Sequence, residues 1–168
     1  MSGVAAPTRR GLLLLGAGAA PLALAAAAKA APASDLDILE RLLARERRLE
    51  AAYEAALRRG ALGEALALAL RDQEREHAHG IELSMAARGR RAPGAPEPDP
   101  ALAASLRSRD AFARYASGLE GRAVRAYVNA LASLRDTRLL QPLGAILASE
   151  AQHEVALRRF LGEPLLGV

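Results

Sequence analysis

Cysteine is absent from the 168 residues, and so is tryptophan. Without cysteine the chain can form no disulfide, no thiolate metal site, no Cys nucleophile and no lipid attachment at an N-terminal Cys. An exported form would have to hold its fold by core packing and by bound metal. Aromatic residues make up 3% of the chain, and long β-branched or aromatic runs are missing, so strands have little support. A large charge of one sign is missing as well. The net charge is +4, but residues 1–30 hold Arg9, Arg10 and Lys29 and no acid. The remainder carries 20 basic and 19 acidic side chains, a net of +1. A nucleic-acid face needs clustered positive charge with few acids between. Here Arg and Glu alternate as on a solvated helix surface, and no nucleic-acid partner is expected. What is abundant is Ala, Leu, Arg and Glu, all strong helix formers. The length fits one domain, and the expected class is all-α.

The first residues read as an address. Thr8-Arg9-Arg10 is followed by Gly11 and four leucines, and an apolar, Ala/Gly-rich stretch runs to about Ala28. Ala28-Lys29-Ala30 and Ala31-Pro32-Ala33 are both small-x-small cleavage candidates. A charged start, an apolar middle and a small-residue site make a signal peptide. The paired arginines before a mildly apolar core resemble a twin-arginine signal. The domain plan is then 1–30 signal, 31–34 linker and 35–164 folded domain. Such a signal implies the twin-arginine export machinery as partner and an exported, periplasmic or extracytoplasmic location. The apolar run holds Pro21 and is only about 18 residues, the short limit for a span. Contact with a membrane is therefore expected only through an uncleaved signal.

After Ser34 the periodicity is helical. The spacing predicts helices over about Asp35–Arg59, Leu62–Ala87, Ser108–Leu134 and Leu140–Leu161. Ser34 or Asp35 caps the first and Gly60 ends it, Gly162 and Pro164 close the fourth, and Pro142 falls in its first turn. Between the second and third helices, Pro93, Pro96, Pro98 and Pro100 forbid a continuous helix. A short helix over Ala101–Arg107 is compatible with the pattern. Short, long, short connections describe two helical hairpins joined by a crossover.

Polar residues interrupt each apolar stripe. The first stripe reads Leu39, Leu42/Leu43, Glu46, Leu49, Tyr53, Leu57. The second reads Leu66, Leu70, Glu74, His77, Ile81, Ser84. The third reads Phe112, Ala116, Glu120, Ala123/Val124, Tyr127, Leu131. The fourth reads Leu143, Ile146/Leu147, Glu150, His153, Leu157, Phe160. Steps of three and four keep these positions on one helix face. Each helix thus places a carboxylate inside its buried stripe. Burying an unpaired carboxylate costs on the order of several kcal/mol, and four at one level would repel one another. Two divalent cations would cancel four negative charges.

The pattern also repeats. Glu46 has Tyr53 seven residues on and is followed by Glu74-x-x-His77; Glu120 has Tyr127 seven residues on and is followed by Glu150-x-x-His153. The offset between halves is 74 residues for the first Glu and 76 for the second. Two of the three histidines sit in the matched positions, whereas His79 points elsewhere on its helix. Glu40, Glu50, Glu54, Glu76 and Glu154 fall beside or opposite the stripes and are expected to face water.

One Glu from each of two helices, with Glu-x-x-His from each of the other two, resembles the di-iron or di-manganese carboxylate centre of ferritin-like four-helix bundles. Leu43-Ala44-Arg45-Glu46 with Tyr53, and Gln73-Glu74-Arg75-Glu76-His77-Ala78, look like the corresponding segments of bacterioferritins and rubrerythrins. The resemblance covers about residues 35–162. It implies Glu46 and His77 as terminal ligands of one metal, Glu120 and His153 as terminal ligands of the other, and Glu74 and Glu150 as bridges. Tyr53 and Tyr127 would stand behind the ligands. Glu74, Glu150, Tyr53 and Tyr127 are accordingly the candidate catalytic residues. The implied cofactors are two Fe (or Mn) ions per chain, and the implied partners are O2 or peroxide. No rubredoxin-like Cys₄ module is present, and only Met85 stands as a weak candidate for a bacterioferritin-type haem position, so no haem is expected. Three functions remain open at this point. They are a di-metal oxidoreductase of the ferroxidase, peroxidase or catalase class, a metal-free scaffold of the cell envelope, and an iron-storage assembly. A homo-oligomer is compatible with each.

Overall fold

A computed structural model describes residues 33–164. The expected twin-arginine signal and residues 31 and 32 of the linker lie outside the described residues. Four long helices carry the fold: α1 Asp35–Arg59, α2 Glu64–Ala86, α4 Arg109–Leu131 and α5 Leu140–Leu161. A short helix, α3 Pro100–Ser105, lies in the crossover, and a 3₁₀ turn, Thr137–Leu139, leads into α5. Among the described residues there is no strand, and no helix is long and apolar enough to cross a membrane. The chain is an all-α bundle of two helical hairpins, as the periodicity predicts.

The helix ends follow from local chemistry. Ser34 and Asp37 form a reciprocal cap, with the Ser34 hydroxyl accepting from the Asp37 N–H and the Asp37 carboxylate accepting from the Ser34 N–H. Such a cap contributes about 1 kcal/mol. Gly60 and Gly162 end α1 and α5 at φ 63° and 68°, a left-handed conformation that glycine adopts without a Cβ penalty. The Asp35 carboxylate accepts from the backbone N–H groups of Arg135 and Asp136 at 3.0 and 2.8 Å, tying the α4–α5 turn to the start of α1.

Helix α1 packs against α2 and α4, and α2 against α5. Tyr53 on α1 reaches Glu120 on α4, while Tyr127 on α4 reaches Glu46 on α1. Both residue-number pairs sum to the same value, the signature of antiparallel neighbours. With α1 antiparallel to both α2 and α4, helices α2 and α4 run the same way, so the chain must travel back along the bundle between them. Residues 90–99 have no regular structure; extended, they reach roughly 33 Å. A 23-residue helix such as α4 is about 35 Å long. The prolines therefore keep extended the one segment that has to span the bundle. Arg47 straps it to α1 by donating to the carbonyls of Pro93 and Gly94 and pairing with Glu82, and Arg90 pairs with Glu40.

The core is two apolar clusters with a polar layer between. One is built on Leu49, Tyr53, Leu70, Phe112, Ala116 and Leu157. The other holds Leu39, Leu42, Leu43, Ile81, Met85, Tyr127 and Leu143. Two stripe positions fall otherwise than the periodicity predicts. Met85 rather than Ser84 continues the α2 stripe, and Phe160 is 37% exposed while Leu161 packs on the core. In each case the residue four on from the previous core position (Ile81, Leu157) lies about 40° from it around the helix, the residue three on about 60°. The predicted ends also shift: α2 starts at Glu64 rather than Leu62, and α4 stops at Leu131 rather than Leu134.

Candidate metal centre

All six residues expected at mid-bundle meet there. Glu46, Glu74, Glu120 and Glu150 are fully buried, His153 is buried, and the His77 side chain is 12% exposed. Each sits at the point on its helix where the two apolar clusters part. His77 Nδ1 lies 2.9 Å from Glu150, 3.3 Å from Glu46 and 3.7 Å from Glu74. His153 Nδ1 lies 2.8 Å from Glu74 and 3.7 Å from Glu120. The two imidazoles stack with ring centroids 5.8 Å apart.

The atoms sort into two overlapping sets. Glu46, Glu74, His77 and Glu150 each offer one atom within 4.8 Å of the others, and so do Glu74, Glu120, Glu150 and His153. Glu74 and Glu150 belong to both.

Hydrogen bonding draws the same distinction by another route. Tyr127 donates to Glu46 Oε1 at 2.8 Å, and Tyr53 donates to Glu120 Oε1. That leaves Glu46 Oε2 and Glu120 Oε2 without a partner, whereas Glu74 and Glu150 have both oxygens unpartnered. A terminal ligand needs one free oxygen and a bridge needs two. Both Nδ1 atoms are also without hydrogen-bond partners, despite their short contacts. Close approach without donor–acceptor alignment is how ligands face a shared central ion.

The electrostatics show what the cluster lacks. Burial pushes the Glu46 carboxyl well above its ordinary range, helped by the Glu150 and Glu74 charges. Burial does the same to Glu120, again helped by Glu74 and Glu150. For Glu74, burial acts upward, but the closely approaching His153 and His77 imidazoles outweigh it and hold the group below its ordinary value. Burial acts downward on His77, but Glu150, Glu46 and Glu74 pull it up to about 11. Tyr53 and Tyr127 are raised by burial and by the carboxylates they touch, so they stay protonated donors. Among the described residues no Arg or Lys pairs with the four central carboxylates. The arginines serve the outer acids instead: Arg90 with Glu40, Arg75 with Glu50, Arg71 and Arg58 with Glu54, and Arg158 with Glu154. Glu76 and His79 are exposed, and Met85 is packed in the apolar core. Only protons or cations remain to balance the centre.

A profile of the ferritin-like domain family matches residues 34–163. The chain belongs to this family. The match spans all four long helices and every residue of the centre. A crystal structure of a conserved hypothetical protein from Mycobacterium tuberculosis is similar in fold, with a TM-score of 0.67 and 21% identity over 75% of this chain and 96% of that one. At that identity the likeness carries the fold alone. No curated protein matches the chain. Carboxylates and Nδ1 imidazoles are donors that can bind metal ions, and the orphaned buried atoms of the cluster fit that use.

Sequence reasoning missed two residues beside the centre. Gln73 Oε1 lies 3.0 Å from His153 Nε2, and Ser149 Oγ lies 3.1 Å from that same oxygen and 3.2 Å from the ring nitrogen. For Ser149 a signal existed, since it stands four residues before His153 and so beside its ring. For Gln73 none did, because its partner sits on another helix.

Proposed function

We propose that the chain is an exported oxidoreductase that works with two iron or manganese ions and acts on O2, peroxide or Fe²⁺. The observation that carries this is the set of eight buried polar atoms without partners: Glu46 Oε2, both oxygens of Glu74, His77 Nδ1, Glu120 Oε2, both oxygens of Glu150 and His153 Nδ1. A fully buried orphan costs about 1–3 kcal/mol, more when charged, so a native fold retains eight of them at one point only for a ligand. In this reading Glu46 and His77 hold one ion, Glu120 and His153 the other, and Glu74 and Glu150 both. Iron or manganese there would supply electron exchange with an oxygen species, the feature common to ferroxidation, peroxide removal and disproportionation.

The protein's own part is to orient and to exclude. Tyr127 and Tyr53 fix one oxygen of Glu46 and of Glu120, so each carboxylate turns its other oxygen inward. The apolar clusters above and below keep water from the carboxylates. His77, partly exposed, marks the side from which a small oxidant reaches the centre. Residues 1–30 would serve as a twin-arginine signal, a route that carries folded, cofactor-loaded proteins and so suits a site that must be filled before export.

The test is elemental analysis of full-length protein loaded with Fe²⁺ or Mn²⁺, followed by assays of O2 and peroxide consumption. About two ions per chain are expected, with a sharp fall in Glu74→Ala and Glu150→Ala. Absence of uptake of either metal by the wild type would overturn the proposal.

A further inference from the structure

The two halves of the centre repeat in sequence but not in their supporting contacts. Gln73 precedes the bridging Glu74 as Ser149 precedes Glu150, and each stands four residues before its helix's histidine. A symmetric arrangement would send each side chain across to the histidine of the other helix. Gln73 makes that crossing and reaches His153 Nε2. Ser149 does not make the matching contact to His77; it donates to the same Gln73 oxygen on α2 and lies beside the same His153 nitrogen on its own helix. His153 therefore collects both contacts. Among the described residues, no side chain hydrogen-bonds Nε2 of His77.

We propose that Gln73 is a positioning residue for His153 and makes the two halves unequal, so that the Glu120/His153 half takes its ion more tightly than the Glu46/His77 half. This rests on the di-metal reading above. An amide oxygen only accepts, and it has two lone pairs. It takes the Ser149 hydroxyl proton with one and the His153 Nε2–H with the other. The ring is then held in the tautomer with its proton on Nε2, which leaves the Nδ1 lone pair facing Glu74 and Glu120, 2.8 and 3.7 Å away. A ligating imidazole whose other nitrogen donates to an acceptor is fixed in orientation and is the stronger ligand. His77 has no such side-chain acceptor among the described residues, so no contact of this kind fixes its ring.

The experiment titrates metal-free full-length protein with Mn²⁺ and with Co²⁺, followed by calorimetry and, for Co²⁺, by the visible spectrum. The wild type is expected to bind in two resolved steps. In Gln73→Leu the tighter step weakens about 10- to 100-fold while the weaker step stays within about threefold. Gln73→Glu, which keeps an acceptor in place, restores the tighter step. Because Gln73 lies at the exposed edge, the melting temperature of metal-free Gln73→Leu is unchanged, which separates positioning from a merely structural role. Side-chain ¹⁵N spectra of Zn²⁺-loaded protein should show the His153 Nε2–H protected from exchange in the wild type and not in Gln73→Leu. Two ions bound with equal affinity, or a Gln73→Leu variant that loses both steps equally or neither, would overturn this inference and leave the di-metal reading standing. Failure of the wild type to take up metal would overturn both.

Discussion

Replacing two of the central carboxylates by their neutral isosteres should reverse the stability order of loaded and metal-free protein. The variant is Glu46→Gln with Glu120→Gln. Each new amide keeps the size of the side chain and an oxygen to accept from Tyr127 or Tyr53. What is removed is a buried charge whose ionised form is disfavoured by burial and by Glu74 and Glu150. Neutral replacement of buried ionic groups commonly stabilises by about 1–4 kcal/mol. For residues 34–163, an unfolding entropy of roughly 2.1 cal/mol/K per residue makes 1 kcal/mol worth about 4 °C. Metal-free variant should then melt about 4–15 °C above metal-free wild type near pH 7.5. The gap has a defined pH dependence. A carboxyl whose folded pKa is raised contributes stability that is fully present below its unfolded value of 4.5 and is lost as pH rises through the folded value. The gap must therefore close as pH falls toward 4.5. Adding Mn²⁺ at 100 times its dissociation constant stabilises the wild type by about 2.7 kcal/mol per ion, or about 10 °C, and the variant hardly at all. Differential scanning calorimetry with and without Mn²⁺, at several pH values, reads all three effects. A metal-free variant destabilised by about 3–5 kcal/mol, with a wild type indifferent to metal, would mean that these carboxylates serve as ion partners for the histidines, and the reasoning would be refuted.

Ion uptake should release protons, because His77 is raised to about 11 and Glu46 and Glu120 are raised as well, and the ions bind only the deprotonated groups. Affinity should therefore rise with pH, and the calorimetric enthalpy should vary with the ionisation heat of the buffer; an enthalpy equal in all buffers would count against the site. Tyr53→Phe and Tyr127→Phe each strip a buried carboxylate oxygen of its donor and should cost about 1–3 kcal/mol in urea unfolding, Tyr53 through Glu120 and Tyr127 through Glu46. Gly80→Ala and Gly144→Ala should each add about 0.8–1 kcal/mol by helix propensity alone, since both glycines lie inside helices and a methyl group at either meets nothing within 4 Å; no rise in thermal stability would mean one of those faces is covered in solution. Phe112→Ala, emptying a fully buried position of one apolar cluster, should cost about 3–5 kcal/mol.

Most of the bundle could be read from the chain because its signals are local. Ser34 and Gly60 mark the ends of α1, and four prolines mark the crossover, each through a backbone property that needs no partner. The meeting of the six residues at mid-bundle was equally legible, since a carboxylate within an apolar stripe conflicts with burial wherever the neighbouring helix lies. Positions three and four residues beyond a core residue straddle the same face, so Met85 and Leu161 could not be told from Ser84 and Phe160 without knowing the neighbouring helix. Gln73 was invisible for a related reason: a polar residue on an exposed face carries no conflict to notice.

The tyrosines show how tertiary pairing gives local repeats a further meaning. Within one half of the sequence, Tyr53 lies seven residues from Glu46, two turns along the same face, too far to touch it. Antiparallel packing of α1 on α4 exchanges the partners, so that each tyrosine serves the carboxylate of the other half. Tyr53 rises from one apolar cluster and Tyr127 from the other, clamping the polar layer from both ends. Neither hairpin alone supplies the tyrosine that orients its own Glu46 or Glu120, and neither supplies both histidines. The centre therefore exists only once the two halves have docked, and the long crossover, rather than either short turn, is the segment on which its assembly depends.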